Sequence, residues 1–487
     1  MGSSSSMVPV STKRVSRYVV RAEARCCLRS HILFFILICM MSCPNVSAWA
    51  AGFRIYDQSA SAVGQSAAFA AQADDPSALY YNPAGITHLH GTQLLMGTLF
   101  IGGQTHFTSP SGATTRGDFG AIVAMPPPSH FYATVNLRDA GVNVLGDLSA
   151  GLAVLSPFGN VYRYPTNGPF ATALTQSALP LIDIKPTLAY KLTDQLSIGF
   201  GADIYTFFDF WGQGQYETRF VSSGGPPLPP PGTPLNLSGR GTTAGFNASL
   251  LYTALQTTDH KPRVNIGLVY RSQAALPIRG QFLANGTLVS DARTTLVLPQ
   301  VLTGGIAVWP IQDDRHAWKL ELDVDYTDWH SMRNTDVHLS NGLTIPFVQH
   351  WRSTFTVLVG TEYRWLDVPQ LPHWEIALRG GYWHSASPVP DQSFAPQVPD
   401  ADNHSISVGI GLLCKANGHF GGLFKCGHLA HGPMNPQALG LDLAYQALLY
   451  EPRTVAGNLN PVAVPGSVNG TYHTVFHVGL VSLRVNF

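Results

Sequence analysis

Apolar and polar residues alternate strictly in many separate stretches of this chain, and this alternation most limits what the chain can fold into. A period of two places all the apolar side chains of a strand on one face. Strands with two different faces build either a soluble β-sandwich or a transmembrane barrel, whose outer face meets lipid while its inner face meets the lumen. Residues 438–450 and 319–327 show the pattern most clearly. In the second stretch, the charged residues share one face, which we expect to point inward: Lys319, Glu321, Asp323 and Asp325.

Composition favours the barrel over the sandwich. Charged residues make up 12% of the chain, whereas about 25% is usual in soluble domains. No segment after residue 50 has the roughly 18 consecutive apolar residues expected of a membrane-spanning helix. The last strand ends at Phe487 behind the alternating Val485, Leu483 and Val481, which resembles the assembly signal of bacterial outer-membrane barrels. We therefore predict an all-β protein whose partners include the barrel-assembly machinery and outer-membrane lipid.

Fourteen alternating segments can be counted, and single-chain bacterial barrels have an even number of strands. The sequence thus predicts a 14-stranded antiparallel transmembrane β-barrel over residues 92–487. An even count places both barrel ends on the periplasmic side, so long connections after odd-numbered strands should face outside. The predicted strand starts are near Thr92, Phe131, Asp147, Leu181, Gln195, Leu235, Arg263, Thr294, His316, Trp351, His373, His404, Ala438 and Tyr472. The predicted outer connections are residues 160–178, 214–234, 333–350, 387–403 and 452–470.

Residues 1–50 have the three parts of a secretory signal peptide. Basic residues precede an apolar stretch at 32–41, and a small-x-small cleavage site ends at Ala50. We expect the mature chain to begin at Ala51. A retained anchor is the weaker interpretation, because a helix needs about 20 apolar residues to span a bilayer. Cleavage removes six basic residues and leaves a mildly acidic chain, which gives no reason to expect a nucleic-acid partner.

The segment directly behind the leader, together with later motifs in a fixed order, resembles the FadL/TodX family of outer-membrane transporters. The resemblance covers essentially the whole mature chain. Asn82-Pro83-Ala84 would be weak evidence alone, but its order with the other motifs is specific. The other matching segments are Ala51-Gly52-Phe53, Gln58-Ser59-Ala60, Ala73-Asp74-Asp75, residues 185–191, residues 267–272, Tyr326-Thr327-Asp328-Trp329, Ser387-Pro388-Val389-Pro390 and Pro399-Asp400-Ala401-Asp402.

The resemblance implies that residues 51–91 form a hatch inside the barrel lumen. It also implies passive uptake of long-chain fatty acids or related hydrophobic compounds across the bacterial outer membrane. In that family, the ligand is captured at the surface, the hatch moves, and the ligand leaves sideways into the membrane beside a kinked third strand. We accordingly expect a monomer without a cofactor, whose ligands are hydrophobic small molecules.

Aromatic residues supply most of the predicted ligand-binding site. Phe158, Tyr162, Tyr164 and Phe170 lie in or near the outer connection of the third strand, and each Å² of apolar surface that they bury is worth roughly 25 cal/mol. The resemblance implies that Phe53 occupies the N-terminal aromatic position of the inner pocket.

Two backbone features are predicted to shape the transport route. Gly159 is the predicted strand kink, since Gly and Pro interrupt strand pairing; alternatively, Pro157 and Gly159 merely end the strand. The Asn82-Pro83-Ala84 motif suits a hatch because proline fixes its backbone and Asn hydrogen-bonds nearby turn groups. An ordinary turn is the alternative for this motif.

The predicted pocket departs from the family in its charges. The resemblance places Arg352 at one position where the fatty-acid carriers present a basic residue to the ligand carboxylate. The matching region of strand five has Phe207 and Phe208 instead of an arginine. This departure leaves monoaromatic or other neutral hydrocarbons open as ligands. Arg352 is alternatively a solvated loop charge.

Cys414 and Cys426 are the two cysteines that remain after the leader is removed. The strand count places both in the periplasmic connection between strands twelve and thirteen. Because the periplasm is oxidising, we predict a disulfide between them. A zinc site shared with His419, His428 and His431 is the alternative, although the spacing matches no standard ligand pattern.

Other functions fit the sequence less well. No Walker, GxSxG, HExxH or dinucleotide motif occurs, so we predict a protein that is not an enzyme and binds no metal. An outer-membrane hydrolase would still be possible if separate strands brought Ser and His together. A general porin would lack the hatch, and an adhesin would bind through its outer loops.

Overall fold

The strands of this protein close into a single barrel. The computed structural model describes residues 52–119, 129–209, 214–225, 228–420, 424–427 and 435–487. The predicted signal peptide, Ala51, His428 and His431 lie outside the described residues. Within the described part, β-strands form one 14-stranded antiparallel barrel, as predicted. The barrel closes because its first strand pairs with its last, from Gln93 opposite Asn486 to Thr108 opposite Thr471.

Several barrel strands consist of two consecutive pieces, and the helices are short. Among the described residues, no helix is both long and apolar enough to cross a membrane. The helices are α1 (Ala60–Val63), α2 (Ala78–Tyr81) and the 3₁₀ turns Pro83–His88, Asn143–Leu145, Trp329–Ser331 and Asp391–Ser393. The strands are β1 (Thr92–Thr108), β2 (Thr114–Asp118), β3 (His130–Asn136), β4 (Leu148–Leu155), β5 (Asn160–Arg163), β6 (Gln176–Leu179), β7 (Ile182–Lys191), β8 (Leu196–Thr206), β9 (Tyr216–Val221), β10 (Pro234–Arg240), β11 (Thr243–Gln256), β12 (Pro262–Arg271), β13 (Ala274–Ala284), β14 (Thr287–Leu298), β15 (Val301–Gln312), β16 (His316–Thr327), β17 (Val337–Leu339), β18 (Thr344–Ile345), β19 (Thr354–Trp365), β20 (Trp374–Ser385), β21 (Asn403–Lys415), β22 (His419–Phe420), β23 (Phe424–Lys425), β24 (Ala438–Tyr450), β25 (Arg453–Val455) and β26 (Gly470–Asn486).

Most predicted strand starts lie within a few residues of strand starts in the structure. The second strand begins with β2 at Thr114 rather than near Phe131, and the eighth also begins earlier than predicted. That strand begins with β14 at Thr287 rather than near Thr294. A tight hairpin at Asn285-Gly286 joins it to β13, and both hairpin residues have positive φ, 47° and 76°. Asn-Gly favours this geometry. Thr287, Leu288 and Val289 are exposed in succession at the start of β14, so the period-two alternation that reveals a lipid-facing strand is missing there.

The outward face of the barrel is apolar across its middle. One row crosses four neighbouring strands: Tyr270 lies opposite Leu302, Leu302 opposite Tyr326, and Tyr326 opposite Phe355. Leu302 and Phe355 are 44% and 56% exposed. Large apolar side chains exposed in a band are what a lipid-facing wall requires.

Residues 53–89 lie inside the barrel and are almost all buried. They hydrogen-bond to strands on different sides of the wall. Ser66 contacts Ser407 of β21 at 2.8 Å between the two Oγ atoms, and Thr87 Oγ1 donates to Ser197 Oγ of β8 at 2.7 Å. We call residues 53–89 the inner segment. Because it touches separate sides of the wall, the inner segment spans the lumen.

Candidate functional site

One wall strand, β16, holds the inner segment through its inward-facing acids. Asp323 Oδ2 accepts hydrogen bonds from the backbone N–H groups of Phe69 and Ala70, each at 2.9 Å. Glu321 Oε1 accepts from the backbone N–H of Ala71 at 2.6 Å. Successive backbone N–H groups aimed at an anion form a concavity that binds negative charge. The acids that alternation places on the inner face therefore attach the inner segment to the wall.

Glycines of the wall allow this part of the inner segment to approach closely. A Cβ at Gly381 would lie 2.3 Å from the carbonyl carbon of Gln65 and 2.5 Å from the backbone nitrogen of Ser66. A Cβ at Gly267 would lie 2.1 Å from the carbonyl oxygen of Ala70. All three distances are too short for any side chain, and the obstructing atoms are backbone. Close packing thus adds to the hydrogen bonds from β16.

Residues 53–58, which we call the leading segment, pair with a break in the third barrel strand. The break lies between β4 and β5. There, the backbone N–H of Ile55 donates to Pro157 O at 2.8 Å, and the backbone N–H of Gly159 donates to Phe53 O at 3.0 Å. The leading segment thus takes the place of a strand neighbour at the interrupted position.

Arg54 also attaches the leading segment to β16. Its Nη1 lies 2.6 Å from Asp325 Oδ1 and its Nη2 lies 3.0 Å from Asp325 Oδ2, so the pair is bidentate. Nη1 also donates to Thr327 Oγ1 at 3.0 Å. The side chains of Arg54 and Asp325 are only 4% and 2% exposed. The guanidinium is therefore fully engaged by the wall.

The ring of Phe53 lies in an aromatic cluster between two cavities. Its centroid is 5.0 Å from Trp329, 5.8 Å from Phe158 and 6.0 Å from Trp351. Tilted and edge-on ring pairs at these distances are favourable. Phe53 lines both of the larger cavities found among the described residues. It therefore forms part of the partition between them.

The outer cavity lies at the end of the barrel that carries the long connections. Its volume is about 170 Å³. Apolar side chains supply much of its lining, as expected for a site that takes hydrophobic molecules. The apolar lining includes Phe220, Leu237, Ile278, Leu296, Val337, Phe347, Trp351 and Phe394.

The inner cavity lies beside the leading segment and reaches the break in the third strand at Gly159. Its volume is about 140 Å³. Strands β1, β24 and β26 supply apolar side chains, while the leading segment and two loops add polar ones. The apolar lining includes Leu99, Ile101, Phe119, Tyr162, Leu448, Phe476 and Val478. The polar lining includes Arg54, Asp57, Ser129, His130 and Asp400.

The inner cavity contains two buried acids. Asp57 and Asp400 are 9% and 3% exposed. Asp400 belongs to the connection between β20 and β21, and its Oδ2 accepts from Ser387 Oγ at 2.8 Å. Burial raises the pKa of Asp400 to about 7, because a charged carboxylate loses hydration there. Among the described lining residues, the only Arg or Lys is Arg54, which the Asp325 pair already occupies.

The four aromatic residues predicted near the third strand are all buried, but they have different surroundings. Tyr162 lines the inner cavity, and its hydroxyl donates to Thr105 Oγ1 at 2.6 Å. Phe158 packs on Phe53 without lining either cavity. Tyr164 and Phe170 pack against each other with ring centroids 4.8 Å apart, and neither of them lines a cavity.

The remaining predicted pocket residues lie away from the inner cavity. Phe207 is buried in the aromatic cluster around Phe53, whereas Phe208 is 41% exposed. Arg352 is exposed, and its side chain lines neither of the two cavities. Its backbone N–H donates to Pro388 O at 2.9 Å.

The Asn82-Pro83-Ala84 motif connects the inner segment to β11. Asn82 Nδ2 donates to Ala70 O at 2.6 Å and to Leu250 O at 3.1 Å. Pro83 begins the 3₁₀ turn, where its missing N–H costs nothing. The backbone N–H of Ala84 donates to Ser249 Oγ at 2.9 Å. The motif therefore contacts the wall in addition to forming a turn.

Cys414 and Cys426 are joined by a disulfide, with their Cα atoms 5.9 Å apart. Cys414 lies near the end of β21, and Cys426 lies just after β23. Among the described residues, no group of three or more His, Cys, Asp or Glu is arranged to bind a metal ion.

Sequence reasoning did not select Asp57, Trp329, Trp351 or Asp400 as site residues. Trp329 and Asp400 lie in motifs that carry the family resemblance. Those motifs are a signal from which both could have been predicted as site residues. For Trp351, the alternating pattern indicates only the start of strand ten. Asp57 has no distinguishing pattern around it. Only the folded arrangement reveals that it lines the inner cavity.

Comparison with known sequences identifies a matching family. The sequence model of the family described as "Outer membrane protein transport protein (OMPP1/FadL/TodX)" matches residues 41–417. The "Long-chain fatty acid transport protein" of Salmonella typhi is 24% identical over 392 residues, which cover 75% of this chain and 84% of that protein.

Solved structures share the barrel fold. The crystal structure of a Pseudomonas aeruginosa FadL homologue matches with a TM-score of 0.65 at 16% identity, covering 90% of this chain and 100% of that chain. The Pseudomonas putida toluene transporter TodX matches with a TM-score of 0.54 at 15% identity, covering 90% and 100%.

Proposed function

Because this chain belongs to the OMPP1/FadL/TodX family of outer membrane transport proteins, we propose that it takes up hydrophobic molecules passively across the bacterial outer membrane. The ligand is captured in the outer cavity, passes to the inner cavity when the leading segment moves, and leaves into the membrane beside the third strand. The inner segment is the hatch, within residues 51–91, and residues 1–50 are the signal peptide. The protein acts as a monomer and catalyses no reaction.

One observation carries this proposal. Phe53 lines the outer cavity and the inner cavity, and its carbonyl oxygen accepts the hydrogen bond from Gly159 at the strand break. A shift of Phe53 would therefore change the partition between the cavities and the support of the break in one movement. That coupling is what a route from the surface to a lateral gap requires.

The mobility of the leading segment is supported by the kind of contact that holds it. Two backbone hydrogen bonds attach it to the break, and one ion pair attaches it to β16. Gln58 adds two more: its Nε2 donates to Ser156 O at 2.9 Å, and its carbonyl oxygen accepts from the Tyr132 hydroxyl at 2.8 Å. The inner cavity borders most of the leading segment, and the outer cavity borders it at Phe53, so free volume lies beside the segment. Regions with few packed contacts open at lower free energy than densely packed regions.

Long-chain fatty acids are the first candidate substrate, and neutral hydrocarbons are the second. The Salmonella typhi relative is named for the first class, and TodX for toluene. The charges of the inner cavity favour the second class, because its lining arginine, Arg54, is already paired with Asp325. Burying an unpaired carboxylate among apolar side chains is costly.

Uptake by bacterial cells tests the proposal, since their lipopolysaccharide surface is the barrier that the protein must overcome. A host without its own family member would express this protein and receive labelled palmitate or toluene. Phe53→Ala should slow uptake by about tenfold, since lost ring contacts of roughly 1.5 kcal/mol correspond to that factor. The amount of folded barrel in the outer membrane should be unchanged. Uptake equal to that of cells without the protein would refute the transport function.

A second variant tests the exit beside the third strand. A Cβ at Gly159 would lie 2.9 Å from Leu179 O, so Gly159→Leu should crowd the break and block transfer, while surface capture of ligand persists. Gly102→Leu is the matched control, because a Cβ there meets nothing within 4 Å. Normal transfer through Gly159→Leu would remove the break from the route.

A further inference from the structure

The size of the inner cavity suits a small ring rather than an extended chain. Its volume is about 140 Å³. An apolar protein cavity of about 150 Å³ is large enough to hold one benzene molecule. Side chains such as Leu99, Phe119 and Phe476 provide the apolar contact that such a ring needs. In this conformation, the cavity therefore accommodates a single-ring molecule.

Asp57 gives this apolar cavity one directional polar group. With the Gln446 amide oriented so that its oxygen accepts from Trp383 Nε1 and Ser405 Oγ, Gln446 Nε2 donates to Asp57 Oδ1 at 2.7 Å. The other carboxyl oxygen of Asp57 has no hydrogen-bond partner among the described residues. Asp57 is 9% exposed and lines the cavity. A buried carboxyl oxygen without a partner is an acceptor that a ligand donor can satisfy.

The surrounding charges disfavour an anionic ligand. A carboxylate in this cavity would lie in the same small space as Asp57 and near Asp400, with Arg54 already paired to Asp325. A ligand carboxylate would therefore be buried without a free cation, which is costly. A purely apolar ring would fit but would leave the Asp57 acceptor unsatisfied, which costs about 1–3 kcal/mol for a buried polar group.

We propose that the inner cavity selects an uncharged single-ring molecule carrying a hydroxyl group, such as a phenol, whose O–H donates to Asp57. This inference rests on the proposed transport function and specifies its substrate class. Asp57 determines specificity by direct contact with the ligand. The apolar walls hold the ring, while the carboxyl group orients the hydroxyl.

Three probes of similar size separate the alternatives: p-cresol carries the hydroxyl, toluene lacks it, and benzoate carries a charge. Equilibrium dialysis of each labelled probe against the full-length folded protein in detergent would measure the dissociation constants, with protein-free micelles subtracted. We expect p-cresol to bind at least about tenfold more tightly than toluene, as a hydrogen bond to a carboxylate is worth that much. Benzoate should show no saturable binding.

Variants of Asp57 test the contact itself. Asp57→Leu should remove the preference for p-cresol over toluene while leaving toluene binding intact, and Asp57→Asn should restore part of the preference because its side-chain oxygen still accepts. Asp194→Leu is the matched control, since Asp194 is exposed in the turn between β7 and β8. An unchanged preference in Asp57→Leu, or benzoate binding as tight as p-cresol binding, would overturn the inference.

The cell uptake assay keeps the two proposals apart. If palmitate or toluene enters cells through the protein but p-cresol binds no more tightly than toluene, the hydroxyl selectivity fails and the transport function stands. If neither palmitate nor toluene enters faster than in cells without the protein, the transport function itself fails and the inference falls with it.

Discussion

Two parts of the inner segment contact the barrel in different ways. Around residues 65–72, backbone N–H groups bind the β16 acids, and wall glycines allow contact without intervening side chains. Around residues 53–58, the contacts include two backbone hydrogen bonds to a strand break, one buried ion pair, an aromatic cluster and side-chain hydrogen bonds such as that from Gln58 Nε2 to Ser156 O. The two larger cavities border the second part and not the first.

The difference indicates which part of the inner segment has room to move. Closely packed backbone with several hydrogen bonds to one wall strand has no room for displacement. The leading segment lies beside two cavities and can shift into them when its contacts break. A hydrophobic ligand can then contact the apolar side chains that the segment leaves. We infer that the anchored part blocks water and ions while the leading segment controls ligand passage.

The largest effect should follow from a side chain placed between the anchored part and the wall. In Gly381→Val, the new side chain would meet backbone atoms of Gln65 and Ser66 at 2.5 Å or less, so the hatch should be displaced. Ion conductance across a planar bilayer should rise strongly above that of the parent protein. Gly380→Val is the control, because a Cβ at Gly380 would meet its nearest neighbour at 3.8 Å. Equal conductance of both variants would contradict the anchored role.

A smaller and more local effect should follow from breaking the ion pair of the leading segment. Asp325→Ala leaves the buried Arg54 guanidinium unpaired, which costs about 3–5 kcal/mol. Amide hydrogen exchange should accelerate at residues 53–58, whereas the amides of residues 69–72 should stay protected by their own acids. Asp325→Asn should have a weaker effect, since its side-chain oxygen still accepts. Acceleration spread evenly over both regions would mean that the hatch moves as one body.

The next effect is a pH dependence confined to residues 386–402, the loop between β20 and β21 that carries Asp400 and borders the inner cavity. Burial raises the pKa of Asp400 to about 7 from its usual 3.8, so the folded loop favours the neutral carboxyl group. The free energy that holds the loop closed is therefore greatest below about pH 4 and falls as the pH rises toward 7, by at most about 4 kcal/mol. Amide exchange in residues 386–402 should be faster at pH 8 than at pH 5 beyond the intrinsic rate change. Asp400→Asn should abolish that difference, and persistence of the difference would assign it to another group.

The smallest effect on transport should come from the disulfide, because Cys414 and Cys426 lie far in sequence from both parts of the hatch and line neither large cavity. Closing a loop of this length is worth about 3 kcal/mol to the stability of that connection. Replacing both cysteines by serine should lower the protection of the connection from proteolysis and leave uptake unchanged. Peptide mapping without reductant should recover the two cysteines joined, and free thiols would contradict the bond.

Much of the fold could be predicted because the alternating pattern is local. Each strand carries its own lipid-facing row, so the number of strands and most of their starts follow from the chain. The prediction was wrong at Thr294, where β14 begins earlier, because Thr287, Leu288 and Val289 are exposed in succession and break the alternation. The inward orientation of Glu321, Asp323 and Asp325 was also predictable from alternation, and all three are buried.

The candidate site was less predictable because its residues meet through space. Phe53 was selected through the family resemblance, and Tyr162 through its place near the third strand, whereas Asp57 carries no signal of its own. The resemblance places Arg352 as a ligand-binding residue, which stays a prediction; in the structure it is exposed and lines neither cavity. Charge at a given sequence position does not reveal which partner will neutralise it.

The sequence by itself determined the strand-forming pattern, the even strand count and the motifs that carry the family resemblance, because each of these depends on neighbouring residues. Only the tertiary structure decided that Arg54 is neutralised by Asp325, which lies 271 residues further along the chain. It likewise decided that Phe53 separates two cavities and that Asp57 faces one of them. Closing the barrel brings distant residues together, and their pairing depends on distances that no local pattern records.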